Sequence, residues 1–297
     1  MASIKDLKKR IGTVKNTQQT TRAMKMVSAA KLRRSQDAII NQRPYARSVG
    51  DLIQTLSATP DIKVTSPLIR KEKNTESGQK KKLLLVLVTS DRGLCGGFNS
   101  NVIKTALRFI KAQEGEYAET ELGFVGRRGY EFFRNKKYQI GPYFAEQGGK
   151  VTFLKAKQVA DILIERYLNS DLDEIKIVYN EFKNAVTQKT LVEDFLPLRG
   201  EISESKESST VRLVKPSAEV VLEQLLKKNF AIQTFRVLLE SQAGEHGARM
   251  SAMENATKNA GEMIKKLTLQ FNKQRQAGIT KELLEIISGS ESQKASA

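Results

Sequence analysis

The sequence predicts an α/β chain: a long antiparallel coiled coil of the N- and C-terminal helices flanking a Rossmann-like α/β domain. Three observations carry this. All six prolines lie between Pro44 and Pro216. Proline inside a helix costs roughly 3 kcal/mol or more, so two long proline-free ends suit long helices. Both ends carry apolar residues at alternating steps of three and four. The middle alternates short apolar runs with amphipathic stretches, the pattern of a mostly parallel sheet.

At the N-terminus, Ile4, Leu7, Ile11 and Val14 form a heptad seam. The seam then turns polar from Lys15 to Arg22 (KNTQQTTR), and apolar character returns at Met24, Met26, Val27 and Leu32. The helix is expected to end near Arg43, before Pro44, after roughly 60 Å of rise. A stable coiled coil does not normally surrender its seam layers in this way. One reading is a register-setting device; the other is a surface that faces other subunits.

In the middle, Lys82 to Thr89 (KLLLVLVT) reads as a buried strand. Residues 102–111 read as a helix, 121–125 as a second strand, 159–168 as a helix, and 175–179 as a third strand. Residues 191–196 read as a fourth, on an edge. The stretches 70–82 (RKEKNTESGQKKK) and 201–209 (EISESKESS) read as exposed loops. Pro216 then opens a C-terminal helix. Its apolar face is wide from Val220 to Leu239 and thin and small-residue-rich from Met250 to Phe271. It is apolar again from Ile279 to Ile287, and the helix is expected to stop at Gly289. As one helix it would rise roughly 110 Å, too long for a globular core, so the two ends are expected to pair with each other. The domain division is therefore 1–47, 48–209, 210–289 and a frayed tail at 290–297.

Composition excludes several classes. Cys95 and His246 are the only cysteine and the only histidine, which excludes disulfides within the chain, cysteine-based zinc sites and multi-histidine metal sites. The longest apolar run, Leu83 to Val88, is far short of the roughly 20 residues a spanning helix needs. Met1 to Ile11 reads as a charged amphipathic helix rather than a signal peptide. The net charge is +17, concentrated at the front: residues 1–43 carry 11 Lys/Arg against 2 acids. Such a segment seeks an anionic partner.

The glycine-rich step SDRGLCGGFNSN (Ser90 to Asn101) follows a strand, where phosphate is sometimes cradled. Its spacing fits neither the dinucleotide fingerprint nor the P-loop, so a structural turn is the better reading, with Cys95 a packed small residue. His246 reads as solvated or capping. No catalytic pair or metal spacing is present.

The segments IKDLKKRIGTVKNTQQTTRAMKMVSAAKLRRSQ (from Ile4), SDRGLCGGFNSN and FNKQRQAGITKELLEIISG (from Phe271) resemble the γ subunit of F-type ATP synthase, in the same order and over almost the whole chain. The resemblance implies the central rotor shaft of F1Fo, a non-catalytic subunit of the proton-translocating complex. In it, the terminal helices turn inside the alpha3beta3 hexamer and couple rotation of the membrane ring to ATP synthesis. Its partners would be alpha, beta, epsilon and the c-ring of Fo, with delta only within the complex. Neither a cofactor, a metal, direct nucleotide binding nor nucleic acid is implied. Matched position by position, Met24, Arg249, Arg275, Gln276, Thr280 and Glu282 would contact the stator. Leu283, Leu284, Ile286 and Ile287 would be an apolar bearing tip, and Arg43, Tyr45, Arg47, Arg212 and Lys215 a foot facing the ring and epsilon. Chloroplast-type members carry a regulatory cysteine pair; with Cys95 alone, that control is not implied here. No transit peptide precedes the first helix, which implies a bacterial protein peripheral on the cytoplasmic face of the plasma (inner) membrane. The alternatives are a basic coiled-coil nucleic-acid-binding protein, against which the lack of interleaved aromatics counts, and a phosphate-binding α/β enzyme.

Overall fold

The computed structural model describes residues 3–57, 66–69, 81–113, 115–145, 149, 151–170, 172–184, 187–198 and 218–295. In chain order the elements are α1 (Ile4–Ser57), β1 (Lys81–Val88), α2 (Phe98–Ala112), β2 (Tyr117–Val125) and α3 (Arg127–Phe133). They continue with β3 (Gln139–Phe144), α4 (Phe153–Asn169), β4 (Glu174–Phe182), β5 (Gln188–Leu196) and α5 (Ala218–Ala295). The chain divides into two compact units: Met1–Val27 with Met250–Ala297, and Ser28–Arg249.

The first unit pairs the start of α1 with the end of α5. Ser3 and Asp6 cap α1 reciprocally, Asp6 N donating to Ser3 Oγ (3.3 Å) and Ser3 N to Asp6 Oδ2 (3.2 Å). The pairing is antiparallel. Lys25 meets Glu254, Thr21 meets Thr257, Gln18 approaches Gly261, and Ile4 approaches Gly278. One sequence climbs as the other descends. Leu7, Met253 and Ala260 are buried in the seam.

The second unit is built on a five-stranded sheet of order β3-β2-β1-β4-β5. β1 pairs in parallel with β2 and β4, β2 with β3, and β5 runs antiparallel along β4. The side-chain alternation of β1 separates two cores. Leu83, Leu85 and Leu87 face α2 and α3. Leu84, Val86 and Val88 face α4, the early part of α5 and the end of α1. Both faces are covered, which is why β1 reads as a continuous apolar run.

Several expectations need correction. α1 does not stop at Arg43 but continues through Pro44 to Ser57. The proline leaves one carbonyl of the preceding turn without its donor, yet Ile40 there is 60% exposed, so water can serve it. Beyond the proline, Val49, Ile53 and Leu56 enter the core, and their burial, roughly 1.5–3 kcal/mol each, outweighs the break. The tail is not frayed from residue 290: α5 runs past Gly289 to Ala295, because one glycine costs a helix only about 1 kcal/mol. Residues 81–82 begin β1 rather than ending a loop. Residues 70–80, 201–209 and Pro216 lie outside the described residues. α3 and β3 were not anticipated. α3 is a single short helix with Gly129 inside it, and β3 (QIGPYF) carries glycine and proline, which edge strands tolerate.

Gly126 explains how α3 follows β2 so abruptly. Its φ is +91°, and a Cβ there would lie 2.1 Å from the Thr89 carbonyl oxygen. Only glycine fits.

Candidate functional site

Two places in the chain bear on function: the glycine-rich loop after β1, and the exposed surfaces of the long helices. In open parallel sheets, ligands bind beyond the carboxyl ends of the strands, where the strand order reverses. Here that point lies between β1 and β4, beside the loop from Ser90 to Gly97. Several of the loop's polar groups are bonded to each other. Ser90 N donates to Asn99 Oδ1 (2.9 Å) and Ser90 Oγ to the Arg92 carbonyl (2.6 Å). Asn99 Nδ2 donates to Ser90 Oγ (2.8 Å) and Cys95 Sγ (3.2 Å), which leaves Cys95 buried as a packed residue. Two backbone N–H groups at the start of α2, those of Phe98 and Asn101, go to the carbonyls of Cys95 and Gly97.

The crevice itself is filled by α5. Gln188 Nε2 donates to the Gly244 carbonyl (2.8 Å). A Cβ on Gly244 would lie 3.3 Å from the Phe98 ring, and Asn180 Nδ2 holds Phe98 from below through its carbonyl (3.1 Å). Arg249 Nη2 donates to the Gly93 carbonyl (3.2 Å), and its Nη1 pairs with Glu245 (2.7 Å). Where a nucleotide fold would hold its ligand, this chain holds its own helix. Enlarging Gly244 beyond alanine would overpack the seat, at a typical cost of about 1–3 kcal/mol.

Burial of α5 here also overturns the expected role of His246. It is 6% exposed rather than solvated, and Nδ1 has no hydrogen-bond partner among the described residues. Burial, with the charges of Arg249 and Lys31, pushes its imidazole down to about 4. The small residues near it, Ala243, Gly244 and Gly247, are buried with it. Burial also raises the Glu245 carboxyl, against the opposing pull of Arg249.

A second polar node ties α5 to the sheet, and sequence reasoning missed it. Arg236 donates to the Tyr179 hydroxyl (3.0 Å) and pairs with Glu193, while the same hydroxyl donates to Glu193 Oε2 (2.7 Å). Burial raises the Tyr179 phenol and the Glu240 carboxyl alike. The available signal was an arginine inside the apolar run FRVLL. Among the described residues no cluster suited to a metal ion occurs, and no helix is long and apolar enough to cross a membrane.

The residues singled out from sequence separate into three settings. Met24 is partly buried on α1, and Arg249 is buried, its guanidinium engaged within the chain. Arg275, Gln276, Thr280 and Glu282 are exposed on α5. Arg275 and Glu282, seven apart, share one side, and Gln276 and Thr280, four apart, share another; the Thr280 hydroxyl donates to the Gln276 carbonyl (2.9 Å). Beyond them Leu283, Leu284, Ile286 and Ile287 are 53–68% exposed, an apolar end. Arg43, Tyr45 and Arg47 are exposed on α1, with Lys228 Nζ 5.3 Å above the Tyr45 ring. Arg212 and Lys215 lie outside the described residues.

Residues 3–292 match the family model described as ATP synthase. The chain is 47% identical over 294 residues to the ATP synthase gamma chain of Geotalea uraniireducens (strain Rf4), covering 99% of this chain and all of the relative. It is 44% identical over 301 residues to that of Bdellovibrio bacteriovorus, with the same coverage. Among solved structures it resembles a chain of the Tetrahymena thermophila mitochondrial ATP synthase central stalk and c-ring. That likeness has a TM-score of 0.60 and 27% identity, over 80% of this chain and 99% of the other. A chain of the Euglena gracilis mitochondrial ATP synthase in rotational state 3 shares the fold at a TM-score of 0.65 and 20% identity, over 98% and 95%. These likenesses give the nucleic-acid reading no support.

Proposed function

Because the chain belongs to the ATP synthase gamma-chain family, we propose that it works as the central rotor shaft of that complex. It is a subunit of a membrane-associated ATP synthase, and its part is mechanical. The long helices turn within a ring of alpha and beta subunits, and proton-driven rotation of the c-ring is delivered to the catalytic beta sites. The carrying observation is the full-length family match over residues 3–292. Two features support the mechanical reading: a polar, small-residue seam between the paired helices, and an apolar tip left exposed at Leu283 to Ile287. Chemistry by this chain has no support, since the crevice that would hold a nucleotide is occupied by α5.

In this reading Arg275, Gln276, Thr280 and Glu282 touch the stator. Met24 is placed there with them; Arg249, expected there too, is instead engaged within the chain by Gly93 and Glu245. The tip turns in an apolar collar. Arg43, Tyr45, Arg47, Arg212 and Lys215 face epsilon and the ring. One shaft facing several partners in turn does its work through differences in contact free energy between rotor positions. The complex would sit on the cytoplasmic face of a bacterial plasma membrane.

Reconstitution with matched alpha and beta subunits tests this. Addition of the chain should yield an ATPase-active complex. Arg275→Glu should lower proton pumping per ATP hydrolysed more than it lowers ATPase. If alpha and beta reach full activity without the chain, the rotor reading falls.

A further inference from the structure

The helical layer over one face of the sheet is unevenly charged. α2 and α3 bury Val102, Ala106 and Phe133 against Leu83, Leu85 and Leu87. Outward, α2, α3 and the turn after α3 expose Lys104, Arg108, Lys111, Arg134, Lys136 and Lys137. None of these pairs with a carboxylate among the described residues. The acidic residue this layer does contain, Glu131, already accepts from Arg127 Nε (2.7 Å) and Arg128 Nη1 (3.1 Å). α4 on the other face is mixed in sign, with Lys157 bonded to Asp161 (2.8 Å) and Arg166 to Glu121 (2.5 Å).

The α3 end of this layer lies over β2, beside a free edge, whereas α2 lies over β1, β4 and β5. β3 is the end strand of the sheet, so among the described residues nothing pairs with its outer side. Ile140 and Tyr143 on β3 are 36% and 38% exposed, and Phe132 of α3 is 39% exposed, with Lys136 Nζ 3.3 Å above its ring.

We propose that the outer edge of β3 and the cations of the turn after α3, Arg134, Lys136 and Lys137, form one docking surface for an acidic, extended polypeptide segment. A strand edge offers a row of backbone donors and acceptors, and a second backbone is the partner that satisfies such a row. Nucleic acid and lipid headgroups do not. Pro142 removes one donor from β3, so the added strand pairs on either side of it rather than along its full length. The unpaired cations select carboxylates, and Ile140 and Tyr143 receive the apolar side chains that alternate with them. The surface is distinct from the residues given to stator, epsilon and ring contact above, and stands whether or not the rotor reading does.

The probe is a synthetic peptide alternating valine and glutamate, added to the full-length chain. Amide exchange should slow at Ile140, Gly141 and Tyr143. Combined Arg134→Glu, Lys136→Glu and Lys137→Glu should weaken the peptide about tenfold or more. Lys155→Glu with Lys157→Glu, on the other face, should leave binding unchanged and so exclude net charge as the cause. The same peptide methylated on alternate backbone nitrogens should give no protection. If reversal disturbs folding, Arg134→Gln with Lys137→Gln repeats the measurement at exposed sites. Undiminished peptide binding by the α3 variants overturns the proposal. So does stronger protection of β3 by duplex DNA or by phosphatidylserine vesicles than by the peptide.

Discussion

Single residues in this chain show how burial rewrites chemistry. His246 is charged or neutral according to what surrounds it. Its imidazole, ordinarily near 6.5, is held near 4 in the folded chain by burial and by Arg249 and Lys31. The unfolded chain therefore takes up a proton first as pH falls. Stability drops as pH moves from about 6.5 down to about 4, then levels off, for a total of at most about 3 kcal/mol. Glu245 acts in the opposite sense, since its raised carboxyl binds a proton in the folded state at a pH where the unfolded chain has released it. His246→Gln should therefore flatten the loss seen in urea melts between pH 7 and pH 5. A variant as acid-sensitive as the parent would exclude His246 as the source. Nothing in GEHGARM told of this burial. A histidine among charged neighbours reads as solvated until the sheet edge that encloses its helix is known.

Among the elements, the paired helices hold a layer that is polar yet satisfied. Thr21 Oγ1 and Thr257 Oγ1 lie 2.8 Å apart across the pair. Each also has a donor path to its own helix, Thr21 to the Gln18 carbonyl (3.0 Å) and Thr257 to the Met253 carbonyl (2.7 Å). Gln18 Nε2 reaches the Thr257 carbonyl (3.4 Å), and a Cβ on Gly261 would meet that same nitrogen at 3.0 Å. Such a layer specifies register more than it stabilises. Thr257→Val alone should cost about 1 kcal/mol. Thr21→Val with Thr257→Val should recover part of it, because the hydroxyl left without its partner across the pair, keeping only its own-helix acceptor, is then removed too. Thermal melts of the full chain arranged as a double-mutant cycle read the coupling; strictly additive losses would mean that the hydroxyls do not interact. The polar interruption at Lys15 to Arg22 was legible from spacing alone, since a missing apolar layer is a one-dimensional signal. The end of α1 was not. Pro44 is a strong local stop, and what overrides it, the burial of Val49, Ile53 and Leu56, depends on strands far along the chain. β3 was hidden for the converse reason, its glycine and proline being compatible with a strand once that strand is known to lie on an edge.

For the whole molecule, charge is the property that travels furthest. The +17 excess is weighted toward the first 43 residues, and most of those cations are exposed on α1. Long-range attraction of this kind sets how fast a chain meets acidic partners more than how tightly it holds them. Assembly with matched alpha and beta subunits, followed by stopped-flow, should slow by about tenfold from low to physiological ionic strength. A rate indifferent to salt would place the recognition elsewhere. At this scale the sequence was at its most legible, because composition, proline placement and three separated segments all point to one architecture. The candidate contacts were legible as positions along α5. Their division into Arg275 with Glu282 and Gln276 with Thr280 required only the helical period. The engagement of Arg249 with the loop at Gly93 required the fold.

The seat of Gly244 between Phe98 and Gln188 also has a meaning for pharmacology. A diffusible molecule seeking the crevice beyond β1 and β4 must displace a competitor joined to the same chain. A tethered competitor acts at an effective concentration on the order of millimolar or above. Compounds with micromolar intrinsic affinity would be outcompeted there before any contact with the loop is made, which directs inhibitor searches to the exposed faces of α5 and α1 instead.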